Sequence, residues 1–102
     1  MPKTTVVHVR DAGGFDVAIH RPQYRRGQTK AEFPWGNPYT IGADGTRAEV
    51  IAKYQRWLLE GDGRHLLPRI HELKGKRLAC FCAPEPCHGD VLAELADALP
   101  DA

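Results

Sequence analysis

The stretch Arg77-Leu78-Ala79-Cys80-Phe81-Cys82 constrains the fold of this chain more than any other segment. After its first residue it is apolar on both faces. A strand of that kind needs cover above and below, which places it inside a sheet with helices packed against it. Lys74-Gly75-Lys76 before it is a turn, and Ala83-Pro84-Glu85-Pro86 after it is a stiff loop.

The rest of the chain supplies matching elements. Val6-Val7-His8-Val9-Arg10 is rich in β-branched residues and reads as a strand, followed by a turn at Asp11-Ala12-Gly13-Gly14. Phe15-Asp16-Val17-Ala18-Ile19-His20 alternates apolar and polar residues and is expected to return beside the first strand as a hairpin, ending at Arg21-Pro22. Residues 23–31 are polar and basic, with Arg25, Arg26 and Lys30, and are expected to form an exposed loop. Phe33-Pro34-Trp35-Gly36-Asn37-Pro38-Tyr39 cannot form a regular helix. Its prolines, glycine and asparagine enforce turns, while its aromatics require something to pack on.

Thr46 followed three residues later by Glu49 is a capping box. Beyond it Val50, Ile51, Tyr54, Trp57 and Leu58 share one helical face, and Gly61 marks the stop. A shorter helix is expected from Leu67 to Leu73, with Pro68 in its first turn. Val91, Leu92, Leu95, Ala96 and Leu99 form the apolar stripe of a last helix that starts near His88. This pattern predicts an α/β fold: one small domain over residues 1–102, with a short mixed sheet and helices packed on it. A chain of 102 residues, 42% of them hydrophobic, has material for one such core.

Composition narrows the partners. Acidic and basic residues nearly cancel, leaving a formal charge of +1. That disfavours binding of extended nucleic acid by charge alone, and leaves nucleotides and short strands open. No apolar run approaches the roughly 20 residues that cross a bilayer. The first residues, Met1-Pro2-Lys3-Thr4-Thr5-Val6, lack the apolar stretch of a signal peptide. The expectation is a cytoplasmic protein with reduced thiols, in which a cysteine cluster serves metal binding or catalysis.

All three cysteines fall in one short segment, Cys80 to Cys87, and His88 follows directly. Two chemistries suit this pattern. In the first, Cys87 is a thiolate at a helix start, where unpaired N–H groups and the helix dipole favour an anion, and His88 supplies a proton or a positive charge; the plainer reading of His88 is a cap on the last helix or a bond to a carbonyl. Pro84 and Pro86 would hold the loop rigid. In the second, Cys80, Cys82, Cys87 and His88 form a Cys₃His zinc site, although neighbouring ligands such as Cys87 and His88 diverge. Three cysteines could also carry an iron–sulfur cluster. Cys80 and Cys82, two apart on a strand, should point the same way; as buried cysteines they can equally be ordinary core residues.

Three further residues qualify as ligand contacts. Arg21 could hold a phosphate or carboxylate in a bidentate grip, Trp35 could stack on a base, and Asn37 could read a base or amide edge. Each has a plainer role as a surface arginine, a loop anchor or a turn residue. His8 and His20 are expected on neighbouring strands, where a metal pair is the functional reading and ordinary strand histidines the plainer one, and His65 and His71 read as solvated.

The residues Arg21-Pro22, Trp35-Gly36-Asn37-Pro38-Tyr39, Ile41-Gly42, Asp44-Gly45-Thr46-Arg47, Trp57-Leu58, Leu73 to Cys82 and Pro86-Cys87-His88-Gly89-Asp90-Val91-Leu92 occur in an order that resembles an uncharacterised family, domain of unknown function 4326, common in bacteria and their phages. The resemblance runs from about Val17 to Leu95. It implies a compact single domain and carries no reaction. The Cys-His-Gly ending is also similar to a second uncharacterised family, in which Cys-His follows a strand at a helix start. The expected activity is that of a small enzyme acting on a nucleotide-like or other anionic small molecule through Cys87 and His88. The alternatives are a zinc module that contacts nucleic acid or a protein, and a phage or host accessory protein that binds a partner through Arg25 and Arg26.

Overall fold

A computed structural model describes residues 3–83 and 85–99. Pro84, expected to stiffen the cysteine loop, lies outside the described residues. Strands β1 (Thr5–His8), β2 (Val17–Ala18) and β3 (Arg77–Cys80) form one sheet. Helix α1 (Arg47–Glu60) and a run of 3₁₀ turns (Asp62–Leu73) precede β3, and helix α2 (His88–Asp97) follows it. This is a small α/β domain. No helix among the described residues is long and apolar enough to cross a membrane.

The sheet corrects two expectations. β1 and β2 do not form a hairpin, and the sheet is not mixed. The strand order is β1-β3-β2, with both outer strands parallel to β3. The register pairs Val6 with Leu78 and His8 with Cys80 on one side, and Val17 with Leu78 on the other. The apolar β3 takes the centre because both its edges and both its faces need partners. Residues 9–16 must then carry the chain back along the sheet. Arg77 holds that return: its Nε donates to the Gly14 carbonyl at 2.9 Å, and its Nη2 meets Asp11 Oδ1 at 2.8 Å. Asp16 Oδ2 accepts from the Arg77 N–H at 2.9 Å. The turn read at residues 11–14 therefore exists but serves a return loop.

Helix α1 begins as its cap prescribes. Thr46 Oγ1 accepts from the Glu49 N–H, and Glu49 Oε1 accepts from the Thr46 N–H. Its buried face carries Val50, Tyr54 and Leu58. The expected helix Leu67–Leu73 is longer and of another type. It starts at Asp62 and runs as 3₁₀ turns, with Pro68 inside rather than in the first turn. Pro68 has no N–H to give to an α-helical ladder. The side chains of His65 and His71 bond the carbonyls three residues back, Asp62 and Pro68.

The core unites these elements: Ile19, Tyr54, Leu58, Leu66, Leu73, Leu78 and Leu92 are fully buried. Gly89 lets α2 lie close to the sheet, since a Cβ there would stand 2.6 Å from Ile19 Cδ1.

Candidate functional site at the carboxyl ends of the strands

Because all three strands are parallel, their carboxyl ends lie together, and α2 begins beside them. Open α/β sheets commonly bind ligands at this edge. Here a cavity of 110 Å³ is lined by residues from every neighbouring segment, including Arg21, Asn37, Arg47, Cys80, Cys87 and His88.

Cys80 ends β3 and Cys87 caps α2. Their sulfurs stand 3.1 Å apart, both buried and both free thiols. Cys87 Sγ also accepts from the Gly89 N–H at 3.3 Å, and Asp90 Oδ2 accepts from the Cys87 N–H at 3.2 Å. This is a capping box in which sulfur takes the place of a hydroxyl. The hydrogen bond from Cys87 lowers the Cys80 thiol to about 6 against the opposing effect of burial, and the backbone N–H groups of Ala83 and Cys82 help. Cys87 is raised by the same contact and by its own burial. The contact therefore makes Cys80 the more acidic thiol of the pair.

His88 does not partner Cys87. Its Nε2 lies 2.7 Å from the Ile19 carbonyl oxygen, which can only accept, so Nε2 carries the proton. Burial, the larger effect, lowers the ring to about 4, and the Arg21 charge adds to it against the pull of that carbonyl. His88 is thus a neutral ring that ties α2 to the end of β2, with its edge against Tyr54 at 4.8 Å between ring centroids. A positive charge on His88 has no support in this geometry.

Cys82 and Cys80 do not share a strand face, because β3 ends at Cys80 and the chain bends at Phe81. Cys82 is half-buried on the cavity wall. The four residues of the Cys₃His set do not converge on one point. Among the described residues no group of three or more His, Cys, Asp or Glu side chains is arranged to hold a metal ion. The donor set does not fit a four-ligand zinc.

Arg21 lines the cavity and is steadied by Thr40, whose Oγ1 accepts from Nη1 at 2.8 Å. Asn37 also lines it, but its amide is occupied: Nδ2 donates to the Val50 carbonyl at 3.3 Å, and Oδ1 accepts from the Tyr39 N–H at 2.8 Å. It docks the aromatic loop onto α1. Trp35 is 3% exposed, with its carbonyl accepting from the Tyr54 hydroxyl and Arg69 over its ring. It belongs to the core and to no wall of this cavity. Arg25 and Arg26 are exposed in a 3₁₀ turn, Tyr24–Arg26, away from the cavity lining. His8 ends β1 and His20 lies two residues beyond β2, and both rings contact Phe81.

Two contributors escaped the sequence reading. Arg47 reaches across from the first turn of α1, and its Nη1 donates to the Pro86 carbonyl at 3.0 Å. Its place in Asp44-Gly45-Thr46-Arg47 was the available signal. Phe81 is 49% exposed at the rim, beside the equally exposed Ile41. The sequence reading places it in a buried strand, but β3 ends one residue before it.

Residues 7–98 match the family model described as domain of unknown function DUF4326. The chain belongs to this family. It is 33% identical over 88 residues to an uncharacterised 12.4 kDa protein in the nrdA-td intergenic region of Enterobacteria phage T4. That match covers 83% of this chain and 70% of the phage protein. It is also 33% identical over 88 residues to the uncharacterised protein R718 of Acanthamoeba polyphaga mimivirus, covering 78% of this chain and 65% of the viral one. No solved structure matches the chain. The motifs Arg21-Pro22, Trp35 to Tyr39, Asp44 to Arg47 and Pro86 to Leu92 all fall inside the family match, and each contributes to the cavity or to the loops that shape it.

Proposed function

We propose that this domain is a small enzyme acting on a nucleotide-like or other anionic small molecule, with the Cys80–Cys87 pair as its nucleophilic sulfur. The observation that carries the proposal is the lining of a single cavity by two arginines, Arg21 and Arg47, together with a thiol pair beside the start of α2. Two guanidinium groups and the helix N-terminus favour an anion. A thiolate held at about 6 is ionised at neutral pH and can attack an electrophilic centre. The 110 Å³ cavity suits the reacting group of a ligand rather than a whole nucleotide, so the remainder would extend over the exposed Phe81 and Ile41. His88 takes a positioning role, in place of the proton transfer expected of it. A cytoplasmic setting would keep the pair reduced.

The experiment is protection of the thiols. Inorganic phosphate and adenosine monophosphate, tested separately, should slow alkylation of Cys80 by iodoacetamide in the wild-type chain. Arg21→Ala should lose that protection. Alkylation that proceeds at one rate with and without either anion would overturn the proposal.

A further inference from the structure

We propose that Cys80 and Cys87 are a two-electron couple that hydrogen peroxide, or another small hydroperoxide, converts into an intrachain disulfide. The inference goes beyond anion binding and uses a different property of the site. Two free sulfurs 3.1 Å apart are in closer contact than ordinary packing requires. A disulfide needs about 2.05 Å, so the two atoms must approach by roughly 1 Å to bond. One sulfur ends a strand and the other begins a helix seven residues later, so a bridge closes only a short loop.

The cavity selects the oxidant. Both thiols are almost wholly removed from solvent, yet both line the 110 Å³ space. A water-sized molecule needs roughly 15 Å³ of such space, so a peroxide fits whole, whereas a bulky disulfide such as oxidised glutathione would have to stay largely outside. Cys80, the more acidic thiol of the pair, is the attacking sulfur.

The steps balance. The Cys80 thiolate attacks one peroxide oxygen, the O–O bond breaks, and hydroxide leaves, giving a sulfenic acid at Cys80. Cys87 then loses its proton and attacks that sulfur. The S–S bond forms as the S–O bond breaks, and the departing oxygen leaves as water. Two thiols are oxidised by two electrons in all, and one peroxide is reduced to two waters. Cys82 stands aside as a half-buried thiol.

The test is an alkylation map of the full chain. Reduced protein is treated with hydrogen peroxide, quenched with N-ethylmaleimide in denaturant and analysed by intact and peptide mass spectrometry. The expected result is loss of two of the three alkylatable thiols, a Cys80–Cys87 cross-linked peptide, alkylation retained at Cys82, and full recovery with dithiothreitol. Cys82→Ser should behave like wild type. Cys87→Ser, which keeps a capping hydroxyl, should hold the sulfenic acid at Cys80 for capture by dimedone. Three alkylatable thiols after peroxide, or a bridge through Cys82, would overturn the inference. No anion enters the assay, so failure of the anion reading leaves this result unaffected.

Discussion

The imidazole of His88 donates from Nε2 to the main-chain carbonyl of Ile19 across 2.7 Å, and so fastens the first turn of α2 to the residue that follows β2. The ring is buried and lowered from its ordinary 6.5 to about 4. A neutral ring in the fold and an ordinary histidine in the unfolded chain bind protons differently. The unfolded state takes up the proton first, so the contribution of His88 is complete above pH 6.5 and is lost as the pH falls towards 4. The full loss is on the order of 3 kcal/mol. Urea unfolding across that range should show it. His88→Gln, whose amide can still donate to Ile19, should flatten the slope. A slope identical in the variant would assign the pH dependence to other groups.

The carboxyl-end site was partly legible in the sequence because some of its parts are local. The cap of α1 needs only Thr46 and Glu49, and the start of α2 needs only the turn behind Cys87 and the apolar stripe beyond it. What could not be read is set by distant partners. Whether β1 and β2 pair with each other or with β3 depends on who fills the centre of the sheet, and the return loop is held by Arg77, more than sixty residues away. For a similar reason the sequence leaves two roles open for His88, proton partner of Cys87 or bond to a carbonyl, and its contact fits the second. Its neighbour in sequence is Cys87, but its partner is the carbonyl of Ile19. Trp35 and Asn37 were correctly marked as part of a constrained loop, and their plainer roles are the ones their contacts fit.

Cys87→Ala should change Cys80 more than it changes the fold. The hydrogen bond from Cys87 is the largest cause of the lowered Cys80 thiol, and without it burial pushes that thiol upward. The pH profile of Cys80 alkylation should move from a midpoint near 6 towards more alkaline values. Losing the sulfur cap on α2 costs about 1 kcal/mol by analogy with other N-caps, so the variant should remain folded. An unmoved profile would mean that the backbone donors of Ala83 and Cys82, not Cys87, hold the charge.

Gly36→Ala tests how Arg21 is placed. A Cβ at Gly36 would stand 2.6 Å from Arg21 Cα and 3.0 Å from its backbone nitrogen. Main chain cannot step aside as a flexible side chain can, so the two segments must separate. The expected cost is about 1–3 kcal/mol, as for other overpacked sites. Thermal melts check the stability. Binding of inorganic phosphate should weaken in the same variant, because Arg21 moves with its backbone.

Arg47 separates the anion site from the fold. It is the first residue of α1, and its Nη1 donates to the Pro86 carbonyl just ahead of Cys87. That single exposed hydrogen bond contributes about 1 kcal/mol at most to stability, so Arg47→Ala should melt close to wild type. The remaining guanidinium donors are available to a ligand in the cavity that Arg47 lines. A hydrogen bond to a charged group contributes about 1.5–3 kcal/mol, so phosphate affinity measured by calorimetry should fall by roughly ten- to a hundredfold in Arg47→Ala. Arg47→Lys keeps the charge without the planar fork and should fall between the two. Arg25→Ala, on an exposed turn that does not line the cavity, should bind as wild type does. Equal losses in Arg25→Ala and Arg47→Ala would mean that phosphate responds to overall charge, and the cavity would lose its claim to the anion.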